Sequence, residues 1–276
     1  MKTKFQFSLV LVFVFVAFTF AQTHRLYYSV FSKRYKGMEG YYKEMIVTDI
    51  NKDNIKSYAA DYIKYDSINK NSKTGDVFFA TPRFVERFSK DLKSGITTNY
   101  EANLNDVFSY ETQDEIKWEL HQESKEISGY KTQKATTTFG GRNWVAWFAK
   151  DLDIPYGPYK FYGLPGLILE IQDENKEYIF QFLQNKVLDE VYDTSNFLET
   201  YYGKTPIKLS IKNIHKLKTN YYLDPFKEFK AGKRPNEHLG EVGERINYNA
   251  ETLEIQKRLR AENPIDLKNA VKYPEK

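Results

Sequence analysis

The sequence contains no cysteine. That excludes disulfides, thiolate metal sites, a cysteine nucleophile and attachment of lipid to a lipoprotein cysteine, so packing alone must hold the core. Histidine is scarce: His24, His121, His215 and His238, no two within ten residues of each other, with no H-E-x-x-H. Metal sites commonly draw on histidines or carboxylates at helical or strand spacing. His238 beside Glu237 and Glu241 is the one weak metal-like grouping, and it reads better as a solvated loop. The serine-hydrolase elbow G-x-S-x-G is missing. Charge of one sign is missing too. Lys and Arg number 41 against 37 Asp and Glu, and two of the lysines lie ahead of Ala21. So even a balance gives no case for nucleic acid or an acidic membrane surface as partner.

Long apolar runs are absent after the first twenty residues. Those first residues carry Lys2 and Lys4, an uncharged stretch from Phe5 to Phe20, and Thr19-Phe20-Ala21 before Gln22. A basic start, an apolar middle and small residues at −3 and −1 predict a secretory signal peptide over 1–21. Gln6, Ser8 and Thr19 interrupt the run, which suits a leader better than a spanning helix of about 20 apolar residues. The expected mature chain is exported to the periplasm or beyond, with no transmembrane segment. Its size suits one β-rich domain over 22–248, followed by a charged helical tail over 249–276.

What is abundant is aromatic: 22 Tyr and 20 Phe. Aromatic and β-branched side chains suit a pleated, half-buried surface. Strand patterns recur at 25–31, 41–50, 55–65, 106–111 and 115–122. Residues 128–150 read as a hairpin turned by Gly140-Gly141, and 167–188 as another. In the latter, Leu167, Leu169 and Ile171 share one face, as do Tyr178, Phe180 and Phe182. Helices are expected at 81–95, capped by Thr81-Pro82 and closed by Gly95 with Phe84, Val85, Phe88 and Leu92 on one face, and briefly at 193–203, closed by Gly203. Two more are expected after Ser210, ending at Pro225, and from Asn249 to about Asn263. The fold class is mainly β with a few helices (α+β). A single antiparallel sheet, strongly curved or half-barrel, carries one or two packed helices.

The most punctuated stretch is "GPYKFYGLPGLILEI", 157–171. Pro165 followed by Gly166 makes Leu164–Leu167 fit a type II turn, and Gly157 and Gly163 permit further changes of direction. The run leads into a strand with no Lys-Ser/Thr after it, which excludes a phosphate loop. It reads as a corner, Gly163, Leu164, Pro165, Gly166, Leu167 and Ile168 forming its turn. Trp144, Trp147, Phe148, Tyr159, Phe161 and Tyr162 are its packing or ligand-facing aromatics.

Residues 129–173 resemble the signature region of the GLPGLI family of secreted bacterial proteins. They carry a Gly-Tyr-x-x-x-Lys-Ala-Thr strand, an aromatic "AW" strand, and "IP…GP-aromatic-K-F-x-GLPGLI", with GLPGLI letter for letter at Gly163–Ile168. Family-like sequence spans about 22–200. The resemblance implies secretion and one domain, and carries no catalytic residue or cofactor. No nucleophile, base and orienter can be named together. The expected role is therefore a binding or interaction protein of the cell envelope, holding an apolar small molecule, a peptide or another envelope protein on a curved sheet. The alternatives are an envelope hydrolase using paired carboxylates and a structural surface component.

Overall fold

A computed structural model describes residues 23–103, 106–231 and 247–274. The leader and the His238 grouping lie outside the described residues. The strands are β1 (Thr23–Ser32), β2 (Tyr42–Ile50), β3 (Asn54–Ala59), β4 (Arg87–Asp91), β5 (Thr97–Asn103), β6 (Asp106–Thr112), β7 (Glu119–Ile127), β8 (Tyr130–Phe139), β9 (Arg142–Ala149), β10 (Leu167–Asp173), β11 (Tyr178–Leu188) and β12 (Ile207–Lys208). The helices are α1 (Asp61–Lys70), α2 (Ile211–Leu223), α3 (Lys227–Lys230) and α4 (Tyr248–Ala261). All twelve strands join one open sheet, ordered β12-β6-β5-β4-β3-β2-β1-β11-β10-β9-β8-β7. Every pairing is antiparallel except β12 with β6. The expectation of a mainly β fold with a few helices holds, with four helices among the described residues.

The sheet curls. From β4 to β9 are six strand spacings, about 29 Å if laid flat at 4.8 Å each. Yet Phe88 on β4 reaches Trp144 on β9 through two rings. The centroid steps are 5.8 Å to Tyr159, 6.0 Å to Phe161 and 4.6 Å to Trp144. Only a sheet wrapped around those two rings closes that gap. The inward side chains of β1–β4 and β8–β11 therefore form one core with the 152–164 segment. A second, smaller core lies on the outer face, where Val47 and Tyr58 meet Tyr62 of α1 and Phe197 and Leu198 of the 192–202 segment.

The hairpins form as their turn chemistry dictates. Gly140 and Gly141 both hold positive φ, +60° and +77°, as a primed two-residue turn requires. In β10 the simple alternation fails at a bulge. Ile168 pairs with Phe148 and Ile171 with Ala146, two places apart, so Ile168 rather than Leu169 shares the Ile171 face.

Two expected helices are absent. Over 81–95 the chain is extended and then forms β4 between β3 and β5. The Glu44 carboxylate accepts the amides of Arg83 and Phe84 at 2.6 and 2.5 Å, donors that a helix start would have left open. Phe84 and Phe88 face the core because strand pairing carries them there. Over 193–203 the chain makes turns, and Gly203 (φ +87°) closes a tight turn instead of a helix. Helix α1, by contrast, occupies residues expected to continue a strand. The Ser210 cap of α2 forms, its hydroxyl accepting from Asn213 N. Asn247 caps α4 by accepting from Ala250 N.

The chain after α4 returns to the core, where Ile265 is buried. Arg142 fastens it: Nε donates to Ile265 O, Nη2 to Asn263 Oδ1 and Pro264 O, and Nη1 to Asp173 (3.0 Å) and Glu177 (2.6 Å). Both Arg142 and Asp173 are buried. Replacing Arg142 by Met strands the Asp173 charge and frees the 263–267 segment. The expected loss is about 3–5 kcal/mol in urea unfolding, and a loss below about 1 kcal/mol contradicts this role.

The turn itself differs from type II. Gly166 N donates to Leu164 O, a three-residue turn around Pro165, while Leu167 N donates to Leu152 O. Gly166 has φ +146°, far from the +80° of a type II turn. A Cβ there would lie 2.1 Å from the Ala149 carbonyl oxygen, whereas one at Gly163 (φ +92°) would meet nothing within 4 Å. Gly166→Ala is expected to cost about 3 kcal/mol or more, and Gly163→Ala about 1 kcal/mol from backbone strain alone. Equal losses in urea titrations rule out the close approach as the reason for the glycine.

Candidate functional site

The corner fills the concave face. Trp144, Phe148, Tyr159 and Phe161 are all buried. Trp144 Nε1 donates to Phe139 O, and Tyr28 OH reaches across to Ile168 O at 2.7 Å. Tyr162 is half-buried, donating through its hydroxyl to Asp114 O, while Trp118 Nε1 donates to Tyr162 O. Trp147 does not join them. It pairs with Lys134 and Glu170 on the outer face, with the Lys125 ammonium 4.5 Å from its ring centre.

Between the corner and β2–β5 remains a narrow space of about 10 Å³, lined by Thr48, Phe88, Lys90, Thr97, Tyr159 and Lys160 among others. That admits about one water molecule and no lipid. Lys160, buried, pairs with Asp114 at 2.9 Å, and Lys90 donates to Gly95 O while facing the Tyr162 ring at 4.8 Å. Gly163–Ile168 do not line this space, and its one carboxylate is already bound to Lys160. The Lys160–Asp114 pair neutralises its own buried charge, while Lys90 has a carbonyl and a ring for partners and the Thr48 hydroxyl is buried without a hydrogen bond.

Carboxylates converge elsewhere on the concave side. Continuing the β4–β5 register by one place sets Glu86 opposite Glu101. Glu101 pairs with Lys218 of α2 at 2.6 Å. Glu86 is partly buried without such a partner. Burial, with Glu101 as neighbour, pushes its carboxyl up to about 7 against the attraction of Arg34 and Lys218. Glu262, closing α4, is raised by burial as well, and burial raises Tyr110 beside Glu101. A carboxyl raised by burial next to one paired with a lysine is the kind of unequal pair that acid–base chemistry uses. Reading 81–95 as a helix hid this pair; strand alternation through β4 and β5 is the signal that exposes it. Among the described residues no group of three or more His, Asp or Glu could hold a metal ion. No helix among them is long and apolar enough to cross a membrane.

On the outer face of β8–β11, β1 and β2, Val145, Trp147, Ile179 and Phe31 remain partly exposed and Met45 is 43% exposed. They alternate with Lys134, Glu170 and Gln181 along the strands, a mixed face of the kind antiparallel sheets turn to solvent.

The Glu86 shift sets a pH dependence. Its carboxyl titrates near 7 in the folded chain against an ordinary 4.5, so the native state holds this proton more tightly between those values. Glu86 therefore withdraws stability as pH rises from about 4.5 to 7. Glu86→Gln is expected to melt above the parent protein at pH 8 and alongside it at pH 4. A difference that is independent of pH rejects the raised carboxyl.

Comparison with known proteins places this geometry in context. Residues 141–170, spanning β9 and the corner, match the model of a family described as a protein of unknown function (Porph_ging). No curated protein matches the sequence. Among solved structures the chain is similar to PNGF-II in a C2 crystal form, with 17% identity and a TM-score of 0.50 over 71% of this chain and 32% of that one. PNGF-II in a P21 form gives 18% identity and a TM-score of 0.49 over 71% and 33%. The chain thus spans about a third of the PNGF-II chains, and at this identity the likeness concerns fold alone.

Proposed function

We propose that this chain is a secreted binding or interaction protein of the cell envelope, of the GLPGLI type that its corner resembles. Its partner is an extended peptide segment of another envelope protein, laid along the outer face that carries Trp147. One observation supports this reading above the others: the concave face, where an apolar ligand would sit in a half-barrel, is filled by Tyr159, Phe161 and Leu164 down to a space of about 10 Å³. Recognition then falls to surfaces. Trp147 offers the largest ring on the outer face, with polar neighbours to fix a strand's register.

Crosslinking of the exported protein in intact envelopes tests the reading. One dominant protein partner is expected, and Trp147→Ala is expected to weaken its binding about tenfold or more with little change in melting temperature. A lipid retained through purification, or capture unaffected by Trp147→Ala, overturns it.

A second reading, an envelope hydrolase, draws on the Glu86–Glu101 pair, in which burial raises the Glu86 carboxyl to about 7 while Glu101 pairs with Lys218 at 2.6 Å. Turnover on a glycoside or peptide panel that Glu86→Gln and Glu101→Gln each abolish would establish it in place of the first.

A further inference from the structure

A buried cation without an anion lies under the outer-face cap. Arg87, opening β4, is 3% exposed. Its Nη1 donates to Phe197 O at 2.8 Å, and its guanidinium carbon sits 4.6 Å from the Tyr201 ring centre and 5.5 Å from that of Tyr62. Its Nη2 is buried without a hydrogen-bond partner. The other two deeply buried arginines each hold an aspartate, Arg25 at 2.7 Å and Arg142 at 3.0 Å. Arg87 forms no ion pair among the described residues, and Glu199, in the same cap, is taken by Lys56 at 2.6 Å. A desolvated guanidinium in this state is an incomplete interaction.

The cover over Arg87 is strained and apolar. Tyr201 and Lys204 exchange both backbone hydrogen bonds across a two-residue turn, which forces Tyr202 to φ +49°. A tyrosine in the left-handed region is an outlier that its surroundings must hold in place. Alongside, Phe78 and Phe79 are 48% and 50% exposed, and Phe79 stands 4.7 Å from the Tyr202 ring. They are not loosely hung. The Asn69 carboxamide grips the Phe78 backbone at both ends, at 2.8 and 2.9 Å.

We propose that this cap is a binding site for the carboxyl terminus of a peptide chain ending in an apolar residue. The terminal carboxylate pairs with the Arg87 guanidinium when the Tyr201–Lys204 turn lifts, and the last side chain lies on Phe78 and Phe79. A planar monoanion matches both the single uncompensated charge and the fork of the guanidinium. An apolar group one residue from that charge matches the exposed phenyl rings, which offer no hydrogen bonds to the hydroxyls of an acidic sugar. The site is separate from the Trp147 face and stands or falls independently of it.

The test is calorimetric titration of the exported protein with the pentapeptide Gly-Ser-Gly-Ser-Phe as free acid and as C-terminal amide, with glucuronate and sulfate as further probes. The free acid is expected to bind, the amide about tenfold more weakly or less, and Phe79→Ser to weaken the acid several-fold. Hydrogen exchange at the Tyr201 amide is expected to change with the acid only. Arg87→Gln is expected to abolish binding; should that variant not fold, the acid–amide comparison and Phe79→Ser still decide. Equal binding of acid and amide, no binding at all, or glucuronate or sulfate binding in place of the peptide overturns the proposal.

Discussion

The fold depends on a backbone contact that only glycine permits. Gly166 lies so close to the Ala149 carbonyl that no Cβ fits between them. That approach lets the chain leave β9, run inward and re-enter the sheet as β10 beside the strand it left. Leu167 N bonding Leu152 O closes the excursion. The residues carried inward, Tyr159, Phe161 and Leu164, are buried against both halves of the sheet. Burying each such side chain is worth about 1.5–3 kcal/mol. A curled sheet leaves an apolar trough, and the corner is what fills it.

Buried charge then fixes what apolar packing leaves ambiguous. Arg25 and Asp49 stand directly opposite in the β1–β2 register, Arg25 Nε and Nη2 each donating to the carboxylate at 2.7 Å, with Tyr58 OH donating to the same carboxylate at 2.5 Å. A slip of one residue would turn Asp49 onto the apolar concave face, where its charge would lose every partner. Arg142 performs the parallel task for the end of the chain, reading three backbone or side-chain oxygens of 263–265 as well as Asp173. Such pairs add less net stability than their short distances suggest, because both ions are desolvated. Their contribution is to exclude other arrangements.

Local chemistry made much of this readable. The hairpins at 130–149 and 167–188 follow from alternation and from Gly140-Gly141, and the cap at Ser210 from a short polar side chain at a helix start; the last helix was expected from Asn249, and the structure caps it two residues earlier, at Asn247. The misreadings share a cause. Phe84, Val85, Phe88 and Leu92 have helical spacing, but β3 and β5 claim their backbone, and neither neighbour is local in sequence. Pro165-Gly166 suits a type II turn by composition; the distant Ala149 carbonyl imposes a tighter one. Trp147 sits among corner aromatics in sequence and across the sheet from them in space, because an odd number of strand positions, three and one, separates it from Trp144 and Phe148. Glu86 and Glu101 could not be paired until β4 was seen as a strand.

The same reasoning explains why the most conspicuous motif is not where chemistry is found. At Gly163–Ile168 residue identity is dictated by backbone geometry and core volume: Gly166 by the carbonyl beside it, Leu164 and Ile168 by burial. Positions so constrained have no side-chain freedom left for a ligand. Groups with unmet interactions lie instead in plain stretches of sequence. Glu86 titrates near neutrality because burial disfavours its charge, and Arg87, its neighbour in the chain, points to the opposite face with a donor unused. The start of one short strand thus presents a raised carboxyl inward and a guanidinium with an unused donor outward. The corner holds this strand in place through Phe88 and Tyr159 without touching either group's chemistry.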